Sequence, residues 1–206
     1  MSEFSAPALN EVPAPAGSRL VVLAADEAAL IALCQRGHQG AFRQLYENYV
    51  GMVYALCLRL TADRSMAEDA AQEVFIQLWN RIESFRGESS FATWLHALCT
   101  NTTLSHLRRH KNWRQRIHLG DDTDELAAAL EAEPPPDLGD LDACIRRLPE
   151  RARLIFVLHG VEGMRQEEVA ELLGIAPGTV KAQFHRSKQL VLHWLGHSSQ
   201  PEVDHD

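Results

Sequence analysis

Ser65-Met66-Ala67-Glu68-Asp69-Ala70-Ala71-Gln72-Glu73-Val74-Phe75-Ile76-Gln77-Leu78-Trp79 is the stretch that decides the fold of this chain. Ser65 and Glu68 stand at capping-box spacing, in which the hydroxyl accepts from the Glu68 amide and the carboxylate reaches back to the Ser65 amide. A helix is therefore expected from Met66. Ala67, Ala70, Ala71, Val74, Phe75, Leu78 and Ile82 recur at helical spacing and form one apolar face. Asp69, Gln72, Glu73 and Gln77 fall largely off it, so the helix reads as buried on one side and acidic or amide on the other. An ordinary amphipathic helix with a solvated face has the same spacing. A purpose for the polar face must come from the rest of the chain.

The 206 residues suit one domain or two small ones. An apolar content of 46% and a charged content of 23% are those of a globular protein. A net charge of −8 and a pI near 5.7 speak against a general basic coat for nucleic acid but leave room for a local basic patch. Cys34, Cys57, Cys99 and Cys144 are widely separated and each lies in an apolar helical context. Reduced core cysteines are expected, which fits a reducing compartment. No apolar run approaches the roughly 18 residues that span a bilayer. Arg19 precedes only the short run Leu20-Val21-Val22-Leu23-Ala24-Ala25, with no basic segment before it. No signal peptide or direct membrane insertion is expected, and the chain reads as soluble and cytoplasmic. Strand-period alternation persists nowhere. The expected class is all-α, with two small helical domains joined by an acidic flexible linker and a helix-turn-helix in the second.

Residues 1–22, with Pro7, Pro13, Pro15 and Gly17 among small side chains, read as a disordered tail. Asp26 is placed to cap a helix running to Arg36, with Gly37 as its stop. A longer helix is expected from about Gly40 to Leu60, striped by Phe42, Leu45, Tyr49, Val53, Leu56 and Leu60. After the organising helix comes the polar break Ser84-Phe85-Arg86-Gly87-Glu88-Ser89-Ser90, where Gly87 permits a tight turn and Ser89 or Ser90 can cap the next helix. That helix starts near Phe91 and runs through Trp94, Leu95, Leu98 and Leu104 into a basic end at Arg108, Arg109, Lys111, Arg114 and Arg116. From Arg81 to His118, seven Lys and Arg meet two acids, a net of five positive charges on a chain of −8. One or two cations complement a helix C-terminus. Positive charge beside aromatic rings is what a single-stranded nucleic-acid site needs, because cations track phosphates and flat rings stack unpaired bases.

From Leu119 to Asp142, nine acidic residues meet no Lys or Arg, and Pro134-Pro135-Pro136 lies among them. A tether is expected over 117–137, followed by a second helical domain over 138–196. Leu141, Cys144, Ile145 and Leu148 stripe its first helix, which Pro149 ends, and Gly160 and Gly163 punctuate a later break. Gln166-Glu167-Glu168-Val169-Ala170-Glu171-Leu172-Leu173-Gly174-Ile175 reads as a helix and a sharp turn. Pro177-Gly178-Thr179-Val180-Lys181-Ala182-Gln183-Phe184-His185-Arg186 opens another, which makes a helix-turn-helix pattern. Ala170 is small where two helices cross, Gly174 suits a left-handed turn residue and Pro177 a first helical turn. Ile175, Val180 and Phe184 are expected to bury the second helix against the first. Thr179, Lys181, Gln183, His185, Arg186 and Lys188 remain for solvent or DNA. A structural three-helix bundle can show the same pattern. His193 and His197 offer two ligands without a third, so neither metal nor cofactor is expected. Residues 197–206 read as a second disordered tail.

Ala67-Glu68-Asp69, Gln72-Glu73-Val74-Phe75 and Leu78-Trp79, in that order, resemble the core-polymerase-binding helix of bacterial sigma factors, above all the small extracytoplasmic-function (ECF) group. Ala41-Phe42-Arg43-Gln44-Leu45-Tyr46 is similar to that group's opening. Phe85-Arg86-Gly87 through Phe91-Ala92-Thr93-Trp94-Leu95 is similar to its promoter-melting segment. Leu148-Pro149-Glu150-Arg151-Ala152-Arg153, then Phe156-Val157-Leu158, is similar to the start of its second DNA-binding region. The resemblance covers about residues 26–112 and 138–195, and assigns 23–116 to region two and 138–196 to region four.

It implies a transcription initiation factor, not an enzyme, that binds core RNA polymerase and promoter DNA, melts the minus-ten element and reads the minus-thirty-five element. Asp69, Gln72 and Glu73 would hold the polymerase. Arg86, Glu88, Phe91, Trp94 and Asn101 would sit at the unpaired minus-ten strand, with Trp94 fitting the core equally well. The loop from Arg86 to Ser90 would capture a flipped base, which can be read on all its edges. Arg108, Arg109 and Lys111 would hold phosphates, and Thr179, Lys181, Gln183 and Arg186 would face the minus-thirty-five element. The linker would thread polymerase channels, and an anti-sigma factor is implied as a partner able to hold the chain at the membrane. The chain departs from the family at Thr100, where an arginine is frequent, and at Ser105, where an aspartate is. It also has Arg165 and Ala176 in place of hydroxyl caps, and Gln183 and Lys188 in place of arginines. The alternative, a stand-alone helix-turn-helix regulator, would bind duplex as a dimer, and no dimer-forming heptad supports it. An enzyme would call for a Gly-rich phosphate loop, an HExxH or a nucleophile elbow, none of which the sequence holds.

Overall fold

The computed structural model describes residues 24–109 and 141–197. Among these every regular element is helical: α1 (Ala24–Gln35), α2 (Gln39–Thr61), α3 (Arg64–Arg81) followed by a 3₁₀ turn (Ile82–Ser84), α4 (Phe91–Arg109), α5 (Leu141–Arg147), α6 (Glu150–Ile155) continued by a π-helical turn (Phe156–Val161), α7 (Gln166–Leu173) and α8 (Pro177–His197). The class is all-α, as expected. The chain forms two compact units, one built on α1 to α4 and the other on α5 to α8. The acidic linker expected at 117–137, Lys111, the tail at 1–22 and the chain beyond His197 lie outside the described residues.

In the first unit the apolar stripe of α3 is buried throughout: Ala67, Ala70, Ala71, Val74, Phe75, Leu78 and, in the 3₁₀ turn, Ile82. Three alanines let neighbouring helices approach closely. Leu45, Val53 and Leu56 of α2 and Leu95 and Leu104 of α4 complete the core. Each such leucine contributes roughly 1.5–3 kcal/mol through burial. All four cysteines are free and buried, as the sequence predicts.

α2 and α4 start within a residue of where the sequence puts them, whereas the starts of α3 and α1 differ from expectation. Asp63, in extended backbone, is the N-cap of α3 and accepts from the Met66 amide at 2.8 Å. Ser65 lies exposed within the first turn, and Glu68 pairs with Arg64 at 3.1 Å. With the helix begun at Arg64, the Glu68 amide lies past the orphan amides of the first turn and Ser65 has nothing to cap, while the Asp63 carboxylate sits at the positive end of the helix dipole. Asp26 likewise lies inside α1 rather than ahead of it. Gly37 does stop α1: at φ +79°, its amide bonds the Cys34 carbonyl at 2.9 Å, and the His38 amide bonds the Leu33 carbonyl at 3.1 Å. His38 then caps α2, its ring Nδ1 accepting from the Ala41 amide at 3.1 Å.

The second unit packs Cys144, Ile145, Leu148, Leu154, Val157, Leu158, Val169, Val180 and Trp194 into its own core. Pro149 ends α5 and stands as the N-cap of α6. Gly160 does not break the chain as expected. It lies within the π-helical turn, whose wider register is marked by the Glu162 amide bonding the Val157 carbonyl at 2.9 Å. A Cβ on Gly160 would fall 2.6 Å from Cε2 of Phe184, so this glycine serves close packing. The break comes later, where Gly163 turns the chain at φ +70°.

Candidate nucleic-acid interface

In the helix-turn-helix, Arg165 has no acceptor with which to cap α7, and Glu168 takes over that role. Its carboxylate accepts from the Arg165 amide at 2.9 Å and from the Arg165 guanidinium at 2.7 and 3.0 Å. These bonds hold the Glu168 carboxyl below the usual range. At the other end Gly174 sits at φ 71°, with its amide on the Glu171 carbonyl at 3.2 Å and the Ile175 amide on the Ala170 carbonyl at 3.0 Å. This is the left-handed stop the sequence predicts.

Along α8, Val180, Gln183 and Ser187 share one inward face. Val180 and Ser187 are fully buried and Gln183 is 4% exposed, which corrects the expectation that Gln183 faces DNA. Offsets of three and seven residues from Val180 return to the same side of a helix, and the Ser187 hydroxyl donates to the Gln183 carbonyl at 2.7 Å. Lys181, His185, Arg186 and Lys188 are exposed on the outer side, and Thr179 is half-buried in the first turn. Phe184 packs on the π-helical turn, its ring 4.6 Å from that of His159 and 5.8 Å from that of Phe156.

In the first unit, Arg86, Gly87, Glu88, Ser89 and Ser90 form an exposed loop. Gly87 turns it at φ +74°, and Ser90 caps α4 by accepting from the Thr93 amide at 3.1 Å. Beneath it the Phe85 ring lies 5.4 Å from those of Phe91 and Trp94, and Phe91 lies 5.3 Å from Tyr49. The Tyr49 hydroxyl donates to the Glu27 carboxylate. Burial and that carboxylate push its pKa well above that of an ordinary phenol. Phe91 is 2% exposed, which corrects its placement at the unpaired strand: a ring already packed among those of Tyr49, Phe85 and Trp94 has no free face for a base. Trp94 is half-buried and Asn101 exposed, with the Asn101 amide donating to the Ala97 carbonyl at 2.9 Å. Trp94, Asn101, Ser105 and Arg108 recur along one side of α4, spanning about 21 Å at the helical rise. Arg108 and Arg109 are both exposed in the last turn. Thr100 is buried, so this position offers no phosphate contact.

The polar side of α3 is only partly as read. Asp69 and Gln72 are exposed, whereas Glu73 is half-buried with its carboxylate 3.2 Å from Nδ1 of His106 on α4. Ile76, 61% exposed, and Trp79, 37% exposed, extend the stripe of Asp69 and Gln72 at helical spacing. Sequence reasoning did not assign these two to the face. The available signal was that both fall off the buried stripe; the Trp79 ring also packs edge-on against that of Phe42 on α2, with centroids 4.8 Å apart.

Residues 45–113 match the family Sigma-70 region 2, and residues 138–191 match Sigma-70, region 4. Over 195 residues the chain is 31% identical to the ECF RNA polymerase sigma factor SigE of Mycolicibacterium smegmatis, covering 90% of this chain and 70% of that one. It is 31% identical to the ECF RNA polymerase sigma-E factor of Haemophilus influenzae, covering 79% of this chain and 92% of that one. With the ECF RNA polymerase sigma factor SigW of Bacillus subtilis it shares 29% identity over 75% of this chain and 89% of that one. The first match takes in α3, the exposed loop and α4, the second takes in the helix-turn-helix, and the relatives align across both: the chain belongs to the extracytoplasmic-function sigma factors of bacterial RNA polymerase.

Proposed function

We propose that this promoter-specific transcription initiation factor divides its work between its two units, over residues 23–116 and 138–196. The first holds core RNA polymerase through Asp69, Gln72, Ile76 and Trp79 of α3, with Glu73 at the edge of that face. Its loop, Arg86 to Ser90, engages the melted minus-ten strand, with Trp94 and Asn101 alongside and Arg108, Arg109 and Lys111 on phosphates. The second reads the minus-thirty-five element through Thr179, Lys181 and Arg186 of α8, and the acidic stretch at 117–137 connects the two. The chain makes and breaks no bond, and nucleotidyl transfer belongs to the polymerase. It acts in the cytoplasm, and an anti-sigma factor opposes it by masking both units. Among the described residues no helix is long and apolar enough to cross a membrane.

The observation that carries this reading is the order of the two region matches on one chain, each lying over an exposed polar or basic helix face. Nothing favours the stand-alone regulator. The DNA-reading half is tested by salt titration of full-length chain bound to core polymerase on minus-thirty-five duplex. Lys181→Ala and Arg186→Ala should each weaken binding and reduce the slope of log K against log salt by about 1 if their contact is to phosphate. A base-reading contact instead relaxes preference at one position. Unchanged affinity, slope and preference in both variants would contradict the assignment of α8.

A further inference from the structure

Gln35, the last residue of α1, reaches the start of the loop that follows α3. Its side-chain nitrogen donates to the Ile82 carbonyl at 3.1 Å and to the Phe85 carbonyl at 2.9 Å. A primary amide nitrogen carries two hydrogens, so both are used on this one segment. The 3₁₀ turn does not need them to close, because the Phe85 amide already bonds the Ile82 carbonyl at 3.1 Å. What the amide adds is a fixed position for the Phe85 carbonyl, the last one before Arg86.

Past that point the loop has few contacts to hold it. Arg86 to Ser90 are exposed, and Gly87 adds backbone freedom at φ +74°. An open cavity of about 340 Å³ separates α1 from it, lined by Ile31, Gln35, Phe85, Arg86 and Phe91 among others, so side-chain packing does not fix Arg86 from that side. The far end of the loop is held by Ser90 on α4, and the near end by Gln35 on α1.

We propose that Gln35 is a positioning residue for minus-ten recognition. By fixing the Phe85 carbonyl it sets where Arg86 and Glu88 meet the unpaired strand, while touching no DNA itself. The inference rests on the reading that this loop engages the minus-ten element. It adds a specificity determinant that lies more than fifty residues before the loop's own glutamate in the chain.

The test is initiation by core polymerase with the full chain on duplex promoters randomised across the minus-ten element, with Gln35→Leu, Gln35→Lys, Arg86→Ala and Glu88→Ala compared with the parent. Thermal unfolding and core association of each variant are measured alongside. Leucine keeps most of the volume and removes both hydrogen bonds, and lysine restores donors. The expected result is that Gln35→Leu loses base discrimination by about tenfold, in line with two lost hydrogen bonds. The loss should fall at the positions where Arg86→Ala and Glu88→Ala also lose it, with core association unchanged and partial recovery in Gln35→Lys. If Gln35→Leu lowers output equally on every template, or changes nothing, while the two loop variants shift preference, the proposal is overturned and the loop reading stands. If the loop variants also leave preference unaltered, the loop reading itself falls and the proposal falls with it.

Discussion

Phe91→Ala removes a ring that is 2% exposed and packed among the rings of Tyr49, Phe85 and Trp94. Truncating a phenylalanine at such a site costs about 3–5 kcal/mol, and denaturant unfolding of the full chain should show that loss without DNA present. Trp94→Ala, at a half-buried ring, should cost less stability and more initiation from duplex promoters. A Phe91→Ala chain as stable as the parent would contradict the burial described for it. Phe91 and Gln183 share one lesson about reading single residues. Position within a family motif gives a residue's neighbourhood, whereas the side of the helix it occupies decides what it touches. For Gln183 that side was legible, since Val180 three residues earlier is an obvious core residue. For Phe91 it was legible too, since Leu95 and Leu98 follow four and seven residues later on the same side of α4. Arg86, Glu88, Asn101, Lys181 and Arg186 are exposed where the sequence puts them, because each falls between apolar positions of its element or in the polar break.

For elements, apolar periodicity carried most of the information. Every residue assigned to the apolar face of α3 is buried, and the four-helix order of the first unit follows from stripes and breaks alone. Helix starts were less legible, because several side chains within one turn can accept from an orphan amide and only geometry selects among them. Asp63 and His38 take those roles for α3 and α2. Asp63→Ala should therefore cost about 1 kcal/mol in denaturant unfolding, and Ser65→Ala no more than about 0.5 kcal/mol. Equal losses, or a larger one at Ser65, would restore the capping box to Ser65. The π-helical turn was not legible at all. Gly160 looks like punctuation in one dimension, and its packing against Phe184 of α8 becomes visible only when residues 24 positions apart meet.

At the scale of the whole molecule, a chain of net charge −8 gathers five net positive charges between Arg81 and His118 and repeats a basic face on α8. Local charge, not the total, suits it to nucleic acid. The order of motifs along the chain made the two-domain architecture and the family readable. The exposed Ile76 and Trp79 beside Asp69 and Gln72 became readable as one surface only once α3 had a buried side to be measured from. The proposed assignment joins this chain to core polymerase through α3 and directs the polymerase to promoters. Its most direct test is start-site-mapped transcription from a promoter library by purified core polymerase, alone, with the full chain, and with a Gln72→Ala, Ile76→Ala variant. Specific starts should occur only when the chain is present, and should be lost in the variant together with core association while its thermal unfolding matches that of the parent chain. Tight duplex binding by the chain with no association with core and no directed starts would contradict it.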